Sequence, residues 1–147
     1  MVDIDRTIAH TPINFSRESK ILEFSFYPDM VEMINSLIED ENSFLVFCSV
    51  RPLKTYYDTS RWLRKVGFNI KWDQLIFTRS PMQKYEILKF FHDKNINVKI
   101  IDDLTYDHKN CGSFKYYTEV IKKLKESKID YLSFKEIQKY QVMIKKI

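Results

Sequence analysis

Four places in the chain set carboxylates, a hydroxyl and a lysine where phosphate chemistry could use them. Asp3 and Asp5 stand two apart in Asp3-Ile4-Asp5-Arg6-Thr7. Ser49 closes an apolar stretch and leads into Val50-Arg51-Pro52. Lys84 follows Pro81, and Asp102 and Asp103 follow Ile100-Ile101. Carboxylates at i and i+2 of an extended segment project to the same face. A slight bend past the strand end lets one attack phosphorus and the other reach the leaving oxygen. Ser49 offers a hydroxyl to a phosphate oxygen. Lys84 offers a fixed positive charge that compensates the nucleophile and the charge developing on the transferred group. Carboxylates gathered from distant parts of a chain repel, and without a cation one of them must protonate. No histidine or cysteine cluster accompanies them. An all-oxygen donor set that leaves room for water and phosphate favours Mg²⁺, which would neutralise the phosphate and let an anionic nucleophile approach.

These residues meet only if the elements between them fold into one sheet. Asp3 must end a very brief first strand. Residues 6–27 carry no clear period. Pro28 suits the first turn of a helix, and Val31, Ile34, Leu37 and Ile38 recur at helical spacing over Asp29–Glu41. Phe44–Cys48 is continuously apolar, as in a strand buried on both faces. Tyr56–Val66 reads as a helix stopped by Gly67, and Gln74–Phe77 as a short strand. A helix is expected from about Met82 to Lys94, then a strand at Val98–Ile101, a helix over Phe114–Lys125 and a strand at Ile129–Leu132. Ser133 and Glu136 match a capping box that opens a last helix to about Lys145. Strict alternation of strand and helix predicts an α/β fold with a parallel sheet and helices on both faces. Ligands of such sheets bind beyond the carboxyl ends of the strands, which is where the residues above stand.

Composition is consistent with one packed unit over 1–147. The 147 residues are 44% hydrophobic and 15% aromatic, with two glycines and four prolines, which argues against linkers and low-complexity tails. No apolar run approaches the roughly 20 residues of a membrane span, and the opening MVDID lacks a secretory pattern. Cys48 and Cys111 have no metal or redox spacing. A cytoplasmic location and no membrane partner are the expectations. The net charge of +4 suits either a solvated lysine-rich surface or a phosphate-bearing substrate.

The four motifs, in this order, resemble those of the haloacid dehalogenase-like superfamily of phosphohydrolases. Asp3-Ile4-Asp5-Arg6-Thr7 is similar to its DxDxT motif, and Ser49-Val50-Arg51-Pro52 to its T-G-R-P form. Lys84 resembles the lysine of the third motif, and Ile100-Ile101-Asp102-Asp103 the apolar strand ending in DD. The resemblance covers roughly residues 1–110. It implies a Rossmann-like three-layer fold with a minimal cap or none, residues 8–27 forming at most a small flap. It implies a Mg²⁺-dependent phosphomonoester hydrolase in which Asp3 forms an aspartyl-phosphate. Asp5 would protonate the leaving oxygen and then activate water. Ser49 and Lys84 complete the catalytic set, and Arg6, Thr7, Val50 and Arg51 are substrate-binding candidates. The metal would be held by the Asp3 side chain, the Asp5 carbonyl and Asp102 or Asp103. Arg6 stands where the family usually has glycine, and would restrict the loop or contact substrate.

A nearly uncapped member would suit a large substrate. Tyr56, Tyr57 and Trp62 after the second motif would suit a nucleotide or a nucleic-acid end, and the arrangement Arg51-Pro52, Thr59, Trp62-Leu63 resembles nucleotidase-like and polynucleotide phosphatase-like members. Other residues carry blander expectations. Lys89 is an alternative to Lys84, which is preferred because it opens the helix. Asp107 reads as a loop residue, His10, His92 and His108 as surface histidines, and Tyr116 and Tyr117 as packing. Two competing functions remain. One is an inactive phosphate-binding module of the same fold. The other is a receiver-type phospho-acceptor, which needs its aspartate at the end of the central strand, a place this reading gives to Ser49.

Overall fold

A computed structural model describes residues 1–11, 20–39, 42–110 and 113–147, with backbone alone for 107–110 and 113–114. Its strands are β1 (Ala9–His10), β2 (Ser25–Phe26), β3 (Phe47–Ser49), β4 (Leu75–Phe77), β5 (Lys99–Ile101), β6 (Thr105–Asn110), β7 (Ser113–Tyr116) and β8 (Asp130–Leu132). Its α-helices are α1 (Pro28–Leu37), α2 (Tyr56–Val66), α3 (Pro81–His92), α4 (Thr118–Glu126) and α5 (Phe134–Gln138). The fold is mixed α/β, with short parallel and antiparallel pairings and helices.

The parallel layer is held together at one residue. β3 pairs with β4 and β5 with β8, both parallel. Val2 forms parallel bridges to Phe47 on one side and Ile101 on the other. The Val2 amide donates to Val46 O at 2.8 Å, and the Asp3 amide to Ile101 O at 2.8 Å. The order across the layer is therefore β4, β3, Val2, β5, β8. The first strand is as brief as expected, but it is also the central one, so Asp3 and not Ser49 closes the middle of the sheet.

Neighbouring strand residues serve opposite faces. Ile101 joins a core with Phe47, Met30 and Ile34 of α1, Trp62 and Leu63 of α2, and Ile137 of α5. Ile100 joins a second core with Leu88 of α3 and Val120 and Leu124 of α4. The helix boundaries follow local chemistry. Gly67 takes a left-handed φ of 112° after α2, where a side chain would be strained. Pro81 opens α3, with the Ser80 hydroxyl accepting from the Gln83 amide at 3.3 Å.

Three expectations change. The helix read over Phe114–Lys125 begins only at Thr118; before it β6 and β7 form an antiparallel hairpin, whose alternating polar and aromatic residues suit a ribbon better than a helix. The first helix ends at Leu37, with the Ile38 amide closing on Asn35 O. The last helix opens on its capping box but ends at Gln138; beyond it Val142, Met143 and Ile144 are exposed, so no apolar stripe holds another turn. Lys145 instead exchanges two backbone hydrogen bonds of 2.9 Å with Phe26. The flap expected over 8–27 falls in part on residues 12–19, which lie outside the described residues. Ile8, Ala9, Ile21, Phe24 and Phe26 are buried in the first core, and the Trp62 indole donates to Phe24 O at 2.9 Å.

Candidate functional site

The loop after Asp3 turns within four residues. The Ile8 and Ala9 amides both donate to Ile4 O, and the Arg6 amide donates to Ala9 O. Arg6 takes a left-handed φ of 60°, a conformation that costs a non-glycine residue about 1–2 kcal/mol. This is the position at which the resembling family usually has glycine. Gln141, beyond the last helix, donates its side-chain amide to the carbonyls of Arg6 and Thr7. Nothing in the sequence around Gln141 signals this role, which depends on how the chain returns to the sheet.

The bend delivers Asp3 and Asp5 to one cleft of about 120 Å³, lined also by Arg6, Val50, Lys84, Asp102, Asp103 and Tyr117. On one side, the Lys84 ammonium donates to Asp3 Oδ1 at 2.5 Å and to Asp102 Oδ2 at 2.7 Å. The Leu104 amide donates to Asp102 Oδ1 at 2.9 Å, and the Thr105 hydroxyl to Asp103. Leu104 itself is left-handed, with φ 50°, turning the chain so that its amide meets Asp102. Thr7 Oγ1 accepts from the Asp103 amide at 3.2 Å and faces Asp3 Oδ2 at 3.5 Å.

On the other side, Arg51 grips Asp5 with two donors, Nε to Oδ2 at 2.8 Å and Nη2 to Oδ1 at 2.6 Å. The Ser49 hydroxyl donates to Asp5 Oδ2 at 3.1 Å and the Thr11 hydroxyl to Oδ1 at 3.2 Å. Thr59 of α2 accepts from Arg51 Nη1 at 3.0 Å and fixes the guanidinium.

The candidates separate accordingly. Asp3, Asp5, Lys84, Asp102 and Asp103 converge, Ser49 reaches Asp5, and Arg6 and Val50 line the cleft. Thr7 is fully buried, is not among the residues lining the cleft, and braces the two acidic loops. Arg51 is buried and its guanidinium is engaged by Asp5 and Thr59. Lys89 is exposed and paired with Asp93, which leaves Lys84 as the site lysine. Tyr56 donates its hydroxyl to Trp72 O at 2.7 Å, Tyr57 lies under Arg61 and Trp62 is core; none of the three lines the cleft. Tyr117, read as packing, does line it, at the N-cap of α4. His10 packs edge-on against Tyr27 and His92 sits beside Asp93. Cys48 is a buried free thiol that burial pushes up to about 11. The side chains of Asp107 and His108, and all of Cys111, lie outside the described residues.

The electrostatics of the two sides differ in sign. Burial pushes the Asp3 carboxyl well above its ordinary value; Lys84 opposes this and Asp102 adds to it. Burial and the neighbouring Asp102 push Asp103 up to about 7. Burial works against the charge of Lys84, but Asp102 and Asp3 hold its pKa above the usual lysine value. Burial likewise opposes the charge of Asp5, yet Arg51, Ser49 and Thr11 keep its carboxyl below the usual range.

Asp3, Asp102 and Asp103 each offer an oxygen within 4.8 Å of the others, and among the described residues they are the only such group able to hold a metal. Three carboxylates crowd together there, and their mutual repulsion adds to burial in raising the Asp3 and Asp103 carboxyls. A divalent cation would balance them, and the hard oxygen donors fit Mg²⁺. Asp102 and Asp103 both belong to the set. No helix is long and apolar enough to cross a membrane among the described residues. Comparison with known proteins finds no matching family model, no matching curated protein and no matching solved structure.

Proposed function

We propose that the chain is a divalent-cation-dependent phosphomonoester hydrolase with Asp3 as its nucleophile, of the haloacid dehalogenase-like kind. The single observation that carries this reading is the convergence of Asp3, Asp102, Asp103 and Lys84 on one cleft, with Asp5 across it. Asp3, Asp102 and Asp103 would hold Mg²⁺, with the Asp5 carbonyl as a further candidate. When bound, the ion neutralises the phosphate and so admits an anionic nucleophile.

Asp3 attacks phosphorus, and its oxygen forms the new bond as the ester P–O bond breaks. The departing oxygen keeps the electron pair and takes a proton from Asp5. Water then attacks the phosphorus of the acyl phosphate and gives its proton to Asp5. The bond to Asp3 breaks, the carboxylate is restored and inorganic phosphate leaves. Lys84 holds the Asp3 carboxylate in place and compensates charge throughout. Asp5 as now held has no proton to give near neutrality, because Arg51, Ser49 and Thr11 keep its carboxyl ionised. A phosphate dianion drawing Arg51 toward itself would release Asp5, and burial would then raise its affinity for a proton. Arg51 thus retains a substrate-linked role.

The clamp on Asp5 also favours a second reading, a phospho-acceptor or phosphate-binding module that turns over little. Asp3 at the end of the central strand removes the topological objection to a phospho-acceptor. Mg²⁺-dependent release of phosphate from p-nitrophenyl phosphate separates the readings. The hydrolase releases many equivalents of both p-nitrophenol and phosphate; the acceptor releases about one p-nitrophenol per chain and keeps the phosphate; the binding module releases neither.

A further inference from the structure

We propose that the substrate's leaving group is a nucleoside, seated on a tyrosine platform beside the phosphate cleft; this rests on the phosphohydrolase reading and names its substrate class. The cleft of about 120 Å³ admits a phosphoryl group but falls short of the roughly 300–1,000 Å³ of a pocket that encloses a whole small molecule. A groove of about 340 Å³ adjoins it, and Pro81 and Tyr117 line both. A substrate with its phosphate at Asp3 would lay its leaving group past Pro81 and Tyr117 into the groove.

The groove is built from aromatic faces. Tyr106 and Tyr117 are stacked, with ring centroids 4.8 Å apart and planes 28° from parallel. Tyr116 is braced edge-on by Phe134 at 6.0 Å. Tyr106 and Tyr116 stay 38% and 41% exposed, so their rings are open to a ligand in the groove. Met82 adds a soft apolar wall, and the Glu119 carboxylate at the edge accepts hydrogen bonds only. A flat heteroaromatic ring bearing amino or ring N–H groups matches this surface, because it extends the tyrosine stack and donates to Glu119. A small aliphatic phosphate has no face to stack. The chain's net charge of +4 favours arrival of such anions. The platform lies on the hairpin and the start of α4, away from Tyr56, Tyr57 and Trp62.

Adenosine 5′-monophosphate and ribose 5-phosphate differ only by the base, so their comparison isolates the platform. With Mg²⁺, the wild-type chain should show a KM for the nucleotide roughly 5- to 100-fold below that for the sugar phosphate, the range expected for one stacked base. Tyr106→Ala and Tyr116→Ala should each shrink that ratio, and Tyr106→Phe should keep it. Equal KM values in the wild type, or a ratio that survives both alanine variants, would overturn the platform. A 5′-phosphorylated oligonucleotide in parallel separates a free nucleotide from a nucleic-acid end. Calorimetric titration of the Asp3→Asn chain with the same two compounds separates the two levels of the reading. A binding gap without wild-type turnover sinks hydrolysis and keeps the platform. Turnover without a gap does the reverse, and neither turnover nor binding sinks both.

Discussion

The two sides of the cleft solve the problem of buried charge in opposite ways. Asp5 is fully matched: a bidentate guanidinium and two hydroxyls surround one carboxylate. Asp3 and Asp102 share the one ammonium of Lys84, with the Asp103 carboxylate crowded beside them. Burial raises the carboxyls of Asp3, Asp5 and Asp103; on Asp5 the charge of Arg51 and the hydrogen bonds of Arg51, Ser49 and Thr11 outweigh it, whereas on Asp3 and Asp103 neighbouring carboxylates add to it. A matched side is stable as it stands and must be opened before it can react. An unmatched side gains stability from an incoming cation, which is the condition for using ligand binding to assemble a reactive centre.

The sharpest way to break this contrast is Asp3→Asn. It should reduce turnover on the order of 10⁴-fold while leaving far-ultraviolet circular dichroism unchanged, since it removes a charge from the crowded side. Near wild-type rates would mean that Asp3 is not the nucleophile. Next in size is the response to Mg²⁺. At a hundredfold excess over its Kd the ion should stabilise the fold by about 2.7 kcal/mol, roughly 5–10 °C in thermal melting at this chain length. Asp102→Asn or Asp103→Asn should shrink that shift, and Arg51→Met should leave most of it.

Arg51→Met tests the matched side. It should cost about 2 kcal/mol in denaturant melts, less than the roughly 3–5 kcal/mol of a fully buried pair, because the Asp5 side chain keeps 30% exposure. Asp5 has a lowered folded-state pKa, so its ion pair stabilises the protein above the ordinary value of 3.8 and is lost as pH falls through the lowered one. The gap between wild type and Arg51→Met should accordingly be steady near neutrality and close in acid. The smallest effect belongs to Gln141→Ala, about 1 kcal/mol of stability from its lost hydrogen bonds, together with a fall in turnover that circular dichroism would not register.

The site was more legible in the sequence than the path of the chain around it. Asp3, Ser49 and Asp102 announce themselves because each closes an apolar run, and a parallel sheet brings such ends to one edge. The second helix was readable to the residue, because Gly67 can take a left-handed conformation that stops it. The hairpin before α4 was not, since Tyr117 and Val120 mimic a helical stripe and a ribbon gains its stability from cross-strand pairs that a linear pattern hides. Nor could the sequence say that Arg51 faces Asp5 across 46 positions, or that Thr7 braces Asp103. Those partnerships arise only once strands distant in the chain lie side by side.

The tether from Gln141 to the Arg6 and Thr7 carbonyls, with Lys145 paired to Phe26 just beyond it, makes the loop that carries Asp5 depend on a stretch outside the cleft. A protease cut between Tyr140 and Lys145 would spare every carboxylate and still let the Arg6 turn relax out of its strained conformation. Activity would then vanish before the fold did, and clipped material could pass as intact by spectroscopy while being dead in an assay.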